Sequence, residues 1–255
     1  MKYLLVYMTL LAGFAAVFEI GRRRRKHDVI DIYWGMGFVL SGLVSWLLGP
    51  KSAVGTLMLA LVAVWGLRLT IHLAVRNSGQ PEDARYRAMR DKWPDGFERT
   101  MFFRIYLLQF GLNALVGFPL VYTNLQNGGP ADALTWLGVS VWVIGFAFET
   151  IGDEQLRRFK RDARNQGRLM TTGLWSLTRH PNYFGEAVLW WGLWLISLSG
   201  HPERWWLVFS PIAIPVLVRY VSGVPLLERK YQGRADWEAY CRRTNIFVPG
   251  PPKGS

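Results

Sequence analysis

Apolar residues recur along the chain in stretches of about twenty with almost no charge, the length a helix needs to cross a bilayer. They lie at 3–20, 29–48, 53–75, 102–123, 133–151, 184–200 and 205–222. Turn-forming or polar segments separate them: Gly49-Pro50, the stretch 76–100, Asn127-Gly128-Gly129-Pro130, the basic stretch 157–181, and His201-Pro202. The first run lacks a small-residue cleavage site and runs straight into Arg22-Arg23-Arg24-Arg25-Lys26. A positive cluster there resists translocation, so the run reads as a retained helix rather than a leader. The pattern predicts an all-α integral membrane bundle of seven transmembrane helices, a single domain over 1–255 with loops at 76–101 and 154–181. In the tail, 223–255, Trp237, Tyr240 and Cys241 fall at helical spacing among charges, an amphipathic segment suited to the membrane surface or to capping the bundle.

Charge changes this picture by giving it a direction. A formal net charge of +12 would suit a nucleic-acid binder, but the cations sit in short runs between apolar spans, which is a topology signal. Of 30 Lys and Arg residues, 25 fall in 22–28, 76–104, 157–180 and the tail after 223. Only Lys2, Lys51 and Arg204 fall on the other side, and Arg68 and Arg219 lie inside spans. The N-terminus is therefore expected outside and the C-terminus in the cytoplasm, with no nucleic-acid partner. The single cysteine, Cys241, rules out an intrachain disulfide, and the four scattered histidines have no zinc spacing, so no metal is expected. No internal repeat supports a transporter built from two related halves.

Ionisable groups within spans are costly and usually face a partner or a cavity. Here they gather in the halves expected to face inward. Asp31 opens the second span; Arg68, His72 and Arg76 share one face of the third; Glu149 and Asp153 are one turn apart; so are Asn182 and Glu186; Arg219 closes the seventh. Singly, each reads as an interfacial anchor or an interhelical ion pair. Together they describe a polar chamber whose basic rim suits a phosphorylated ligand. Trp34, Trp46, Trp65, Trp136, Trp205 and Trp206 read as interface or core residues, whereas Trp190, Trp191 and Trp194 are candidates to wall an apolar cavity.

The densest signal is the stretch 173–186, with Arg179-His180-Pro181-Asn182-Tyr183 and Glu186. Proline suits a first helical turn, and the helix N-terminus behind Arg179 and His180 favours an anion. Here the chain resembles the steroid 5-alpha-reductase superfamily, most closely its bacterial branch of uncharacterised members. The resemblance covers nearly the whole chain, through Asp31 with Trp34, Trp65-Gly66-Leu67-Arg68-Leu69, Glu82-Asp83-Ala84-Arg85-Tyr86, Glu149 to Leu156, Arg179 to Glu186, Ser222 to Glu228 and Thr244 to Pro249. It implies a membrane oxidoreductase using NADPH, held by cytoplasmic loops and inner helix ends. The family's cofactor-binding Asn and Glu match Asn182 and Glu186, its acidic residue in the fifth helix matches Asp153, and its basic and arginine positions match Lys160 and Arg68. Glu149 replaces the Asn one turn before Asp153. Tyr86, Tyr183, Arg179, His180 and Glu228 fall within the matching motifs and are further candidates to bind the cofactor. Where the steroid enzymes use a Gln-Glu pair and a Tyr on the substrate ketone, this chain has Asp31-Ile32-Tyr33-Trp34 and Trp65, so the resemblance does not by itself imply a steroid substrate.

The implied reaction is reduction of a carbon–carbon double bond conjugated to a carbonyl, in a 3-oxo-Δ4-steroid-like or other lipid-soluble enone. Tyr33, or Asp31 if protonated, would stabilise the enolate as donor, although Asp31 paired with Arg68 is an equally simple reading. Arg76, Arg85 and Arg168 are loop candidates for the cofactor phosphates. The rivals are an isoprenylcysteine-type methyltransferase using S-adenosylmethionine, whose element around 179–183 is similar, and a non-catalytic lipid-binding membrane protein.

Overall fold

The computed structural model describes residues 1–253, and these divide into two compact units. The first comprises Met1–Ala131 with Ser199–Pro202; the second comprises Asp132–Leu198 and the chain from Glu203 onward.

The first unit is built on α1 (Lys2–Arg24), α2 (Val29–Leu48) and α3 (Ala53–Asn77). α1 stops where Arg25 turns left-handed (φ 51°) and the Lys26 N–H returns to Gly21 O at 3.0 Å, with three arginines in its last turn to oppose the helix dipole. The loop expected over 76–101 is itself partly helical, as α4 (Ala84–Lys92) and α5 (Phe97–Met101). α5 continues through a π-helical turn, Phe102–Tyr106, into α6 (Leu107–Gln126), so the fourth apolar run begins five residues before its expected start at 102. α2 and α3 approach backbone to backbone: a Cβ on Gly35 would lie 2.6 Å from Gly66 O. Buried amides of α6 hold α2, Asn113 donating to Trp34 O at 3.0 Å and Asn124 to Ser45 Oγ at 3.0 Å. Such contacts replace the hydrophobic drive that helices lose in lipid.

The second unit opens with α7 (Ala133–Arg161), started by a capping box between Asp132 and Thr135. After the four-residue α8 (Leu174–Leu177), Pro181 begins α9 (Pro181–Ser197). α7 and α9 meet along a glycine seam. A Cβ on Gly138 would strike Gly192 O, one on Gly145 the backbone of Gly185 and Leu189, and one on Gly152 the Pro181 ring. The last apolar run is not one α-helix, because Pro211 and Pro215 interrupt its hydrogen-bond ladder. It runs as a 3₁₀ segment (Pro202–Val208), α10 (Phe209–Val216), a π-helical turn (Leu217–Val221) and α11 (Val224–Arg229). The amphipathic tail segment is helical as α12 (Ala235–Arg243).

Among the described residues, six helical stretches are long and apolar enough to cross a membrane: α1, α2, α3, 97–126, α7 and 202–229. The remaining expected span, 184–200, falls on α9, which has 17 residues. Leu4, Ile71, Val75, Leu108, Val143 and Trp136 are exposed on these stretches. An apolar outer surface around a core glued by amides and close backbones is what a bilayer requires. The protein is an all-helical, multi-pass integral membrane protein, surrounded by membrane lipid.

Candidate functional site

In the second unit the glycine seam decides which polar groups meet. Because Gly185 has no side chain, the Asn182–Glu186 turn of α9 lies directly on the backbone of Glu149 in α7. One turn along, the Asn182 side-chain amide donates to Asp153 Oδ1 at 3.1 Å. Glu149 and Asp153 are both buried, at 3% and 7% exposure, and Asn182, Tyr183 and Glu186 are half-buried. Gln155 Oε1 accepts from the Leu174 N–H at 3.0 Å, and Trp175 Nε1 donates to Gly152 O at 3.0 Å. These bonds fix the segment that leads into α9.

Arg179 and His180 hold a carboxylate of their own chain. Arg179 donates through Nε to Glu228 Oε1 at 2.9 Å and through Nη1 to Cys241 O and Thr244 O. His180 Nε2 lies 3.0 Å from the same Glu228 oxygen. Burial lowers the His180 pKa, with the Glu228 carboxylate opposing it. The anion at this helix N-terminus is therefore Glu228, which leaves Arg179 occupied rather than open to a phosphate. Lys160 and Arg168 lie exposed on the same unit.

In the first unit Asp31 is paired with Arg85 and Tyr86, fifty-odd residues away in sequence. Arg85 Nη2 donates to Asp31 Oδ2 at 2.7 Å, and the Tyr86 hydroxyl donates to Oδ1 at 2.9 Å. Tyr86 is buried, and burial together with Asp31 pushes its phenol well above the ordinary range. Arg85 also binds Asp83, which caps α4. Tyr33 packs edge-on against Phe14, its buried hydroxyl without a hydrogen-bond partner among the described residues. Arg68 and Arg76 are both on α3; Arg68 is half-buried, and Arg76 is exposed with Nε on Asn77 Oδ1 at 3.2 Å.

One cluster escapes the sequence pattern. His27, fully buried between α1 and α2, places Nδ1 3.1 Å from the Tyr106 hydroxyl and Nε2 3.0 Å from Glu98. Its backbone N–H donates to Glu82, and Lys26 Nζ donates to the carbonyls of Asn77 and Gln80. The turn after α1 is thus tied to residues 77–98. The run of arginines there reads as topology alone, and nothing local marks His27 as its anchor. Among the described residues no group of three His, Cys, Asp or Glu is placed to hold a metal ion.

Fold and polar clusters together define a polytopic helical membrane protein with buried carboxylates and amides. The chain belongs to the DUF1295 family, described as proteins of unknown function, whose model matches residues 17–244. That family is associated with steroid 5-alpha-reductase-like membrane proteins. An uncharacterised protein of Schizosaccharomyces pombe is 24% identical over 180 residues, 60% of this chain and 52% of its own length. The Delta(14)-sterol reductase of the same yeast is 28% identical over 105 residues, 38% of this chain and 22% of its own length. The chain thus spans about half of the first relative and under a quarter of the second.

Proposed function

We propose that the protein is a membrane-embedded, NADPH-dependent reductase of a carbon–carbon double bond conjugated to a carbonyl in a lipid-soluble substrate. The observation that carries this reading is the Asn182–Asp153 pair, set on the glycine seam beside buried Glu149. Buried carboxylates are expensive in a membrane bundle and by default mark a ligand site. The 105-residue similarity to a sterol reductase points to the same class of chemistry.

The residues fit such a cofactor in kind. Asn182, Asp153 and Glu186 offer donors and acceptors to a carboxamide and a ribose, and exposed Arg168 and Lys160 offer cations to phosphates. Arg179, His180 and Glu228 support this set by fixing the start of α9. NADPH, when bound, supplies the hydride for the beta carbon. The alpha carbon takes a proton, and a donor at the carbonyl steadies the charge formed between the two events. Of the two candidates, Asp31 accepts with both oxygens, whereas Tyr33 keeps an O–H with no partner among the described residues. Tyr33 is therefore the candidate that keeps a proton to donate, while Asp31 holds Tyr86 and Arg85.

The topology proposed with it has seven spans, α9 being the sixth, with the N-terminus outside and the 25 clustered cations inside. The deciding experiment is calorimetric titration of the detergent-purified protein with NADPH, NADH and S-adenosylmethionine. NADPH is expected to bind tightly, and Glu186→Ala to abolish that binding in a folded protein. Binding of S-adenosylmethionine in its place would move the protein to the methyltransferases. Binding of none of the three would sink the reductase reading.

A further inference from the structure

The last apolar run carries a second binding feature, lined by residues other than the Asn182–Asp153 pair. Beyond Pro215 the helix widens into the π-helical turn Leu217–Val221, closed by the Ser222 N–H on Leu217 O at 2.9 Å. Such turns are rare and often accompany functional sites. This one carries Arg219 and Tyr220 on one wall of a groove of about 420 Å³. The opposite wall is the stretch from Asn245 to Val248. That stretch is fixed by its backbone, Asn245 O accepting from the Arg179 N–H at 2.9 Å and Phe247 O from Thr178 Oγ1 at 2.8 Å.

Two polar groups face an otherwise apolar lining. The Arg219 guanidinium lies 4.8 Å from the Tyr220 ring and, among the described residues, has no carboxylate or hydrogen-bond partner. The Asn245 side-chain amide likewise has no hydrogen-bond partner among them. Pro215, Val216, Phe247 and Val248 supply the remaining surface. Val216, Tyr220 and Val221 are exposed on a stretch apolar enough to cross a membrane, so the groove opens onto lipid. A cation beside an apolar channel, at the end of a span, is complementary to an acidic head joined to an acyl chain.

We propose that this groove binds an anionic phospholipid of the surrounding bilayer. Its phosphate sits on Arg219, the Asn245 amide donates to a head-group oxygen, and an acyl chain lies along Val216 and Phe247. Because the same stretch holds residues 178 and 179 through its backbone, the seated lipid braces the entry to α9.

Native mass spectrometry of the full chain in neutral detergent tests this, with dioleoylphosphatidylglycerol, dioleoylphosphatidylcholine and inorganic phosphate as probes. The anionic lipid is expected to be retained about fivefold more tightly than the zwitterionic one, the weight of one cation at an anionic surface. Arg219→Gln should erase that preference, Arg219→Lys should keep most of it, and Val216→Trp should weaken both lipids by filling the groove. Inorganic phosphate should not compete. Equal retention of the anionic lipid by wild type, Arg219→Gln and Val216→Trp would overturn the proposal. Displacement of the lipid by millimolar phosphate would overturn it too, leaving a simple anion site.

Discussion

The Asn182 amide donates to Asp153 across two helices whose backbones touch through Gly145 and Gly185. An amide held in this way has one N–H and its carbonyl left to offer a ligand. Asn182→Leu should therefore lower NADPH affinity about tenfold or more, the weight of a hydrogen bond near a charge. The helical circular dichroism should be unchanged. Titration of the purified variant checks this, and wild-type affinity would remove Asn182 from the cofactor site.

The seam itself is a stability element. A Cβ on Gly145 meets backbone atoms of Gly185 and Leu189, which unlike a flexible side chain have nowhere to move. Gly145→Ala should destabilise the protein by about 2 kcal/mol, the cost of overpacking a filled interface. Gly111, where an added methyl group would have nothing within 4 Å, is the control, and Gly111→Ala should be neutral or slightly stabilising. Thermal melts in detergent compare the two; equal melting points would mean that α7 and α9 do not depend on close contact.

The spans are legible in sequence because each carries its own signal, an apolar run bounded by charge or turn residues. The partners of buried polar groups are not, because those pairs form across long separations. Asp31 reads as a partner for Arg68 by depth, yet it binds Arg85, 54 residues away, through a short helix inside what reads as a loop. Glu228 reads as a ligand for cofactor, yet it closes on Arg179, 49 residues back. The seam is half visible: Gly138, Gly145 and Gly152 recur every seventh residue, as do Gly185 and Gly192, which marks small-residue stripes without saying which face which. Pro211 and Pro215 announce the break in the last span, but an apolar average over the run hides it.

His27 gives stability a pH dependence. Burial lowers its pKa, against the pull of Glu98 and Glu82. A histidine in an unfolded chain titrates near about 6.5. The unfolded state therefore takes up a proton first as pH falls, and stability present above that value is lost below it. The melting temperature should drop between about pH 6.5 and 5, and His27→Asn should be less stable at pH 7.5 but show a shallower decline. A parallel decline in both proteins would assign the effect elsewhere, His180 being the next candidate because burial lowers its pKa as well.

Whether α9 crosses the membrane can be read from one cysteine at a time, because Cys241 is the only one to remove. In a Cys241→Ser background, Arg164→Cys reports the segment before α9 and Pro202→Cys the segment after it. With 17 residues rising about 1.5 Å each, α9 covers about 25 Å, slightly less than an average hydrocarbon core. The residue that follows it, Leu198, is buried and extends the apolar reach. A membrane-impermeant maleimide added to intact cells should label Pro202→Cys and leave Arg164→Cys unlabelled until the membrane is opened. The opposite charge balance of the two flanks makes the same demand: seven of the cations lie in 157–180, while Arg204 stands alone after the helix. If both positions label from one side, α9 is re-entrant, and the C-terminal tail then shares a side with Pro202 only if 202–229 also fails to cross.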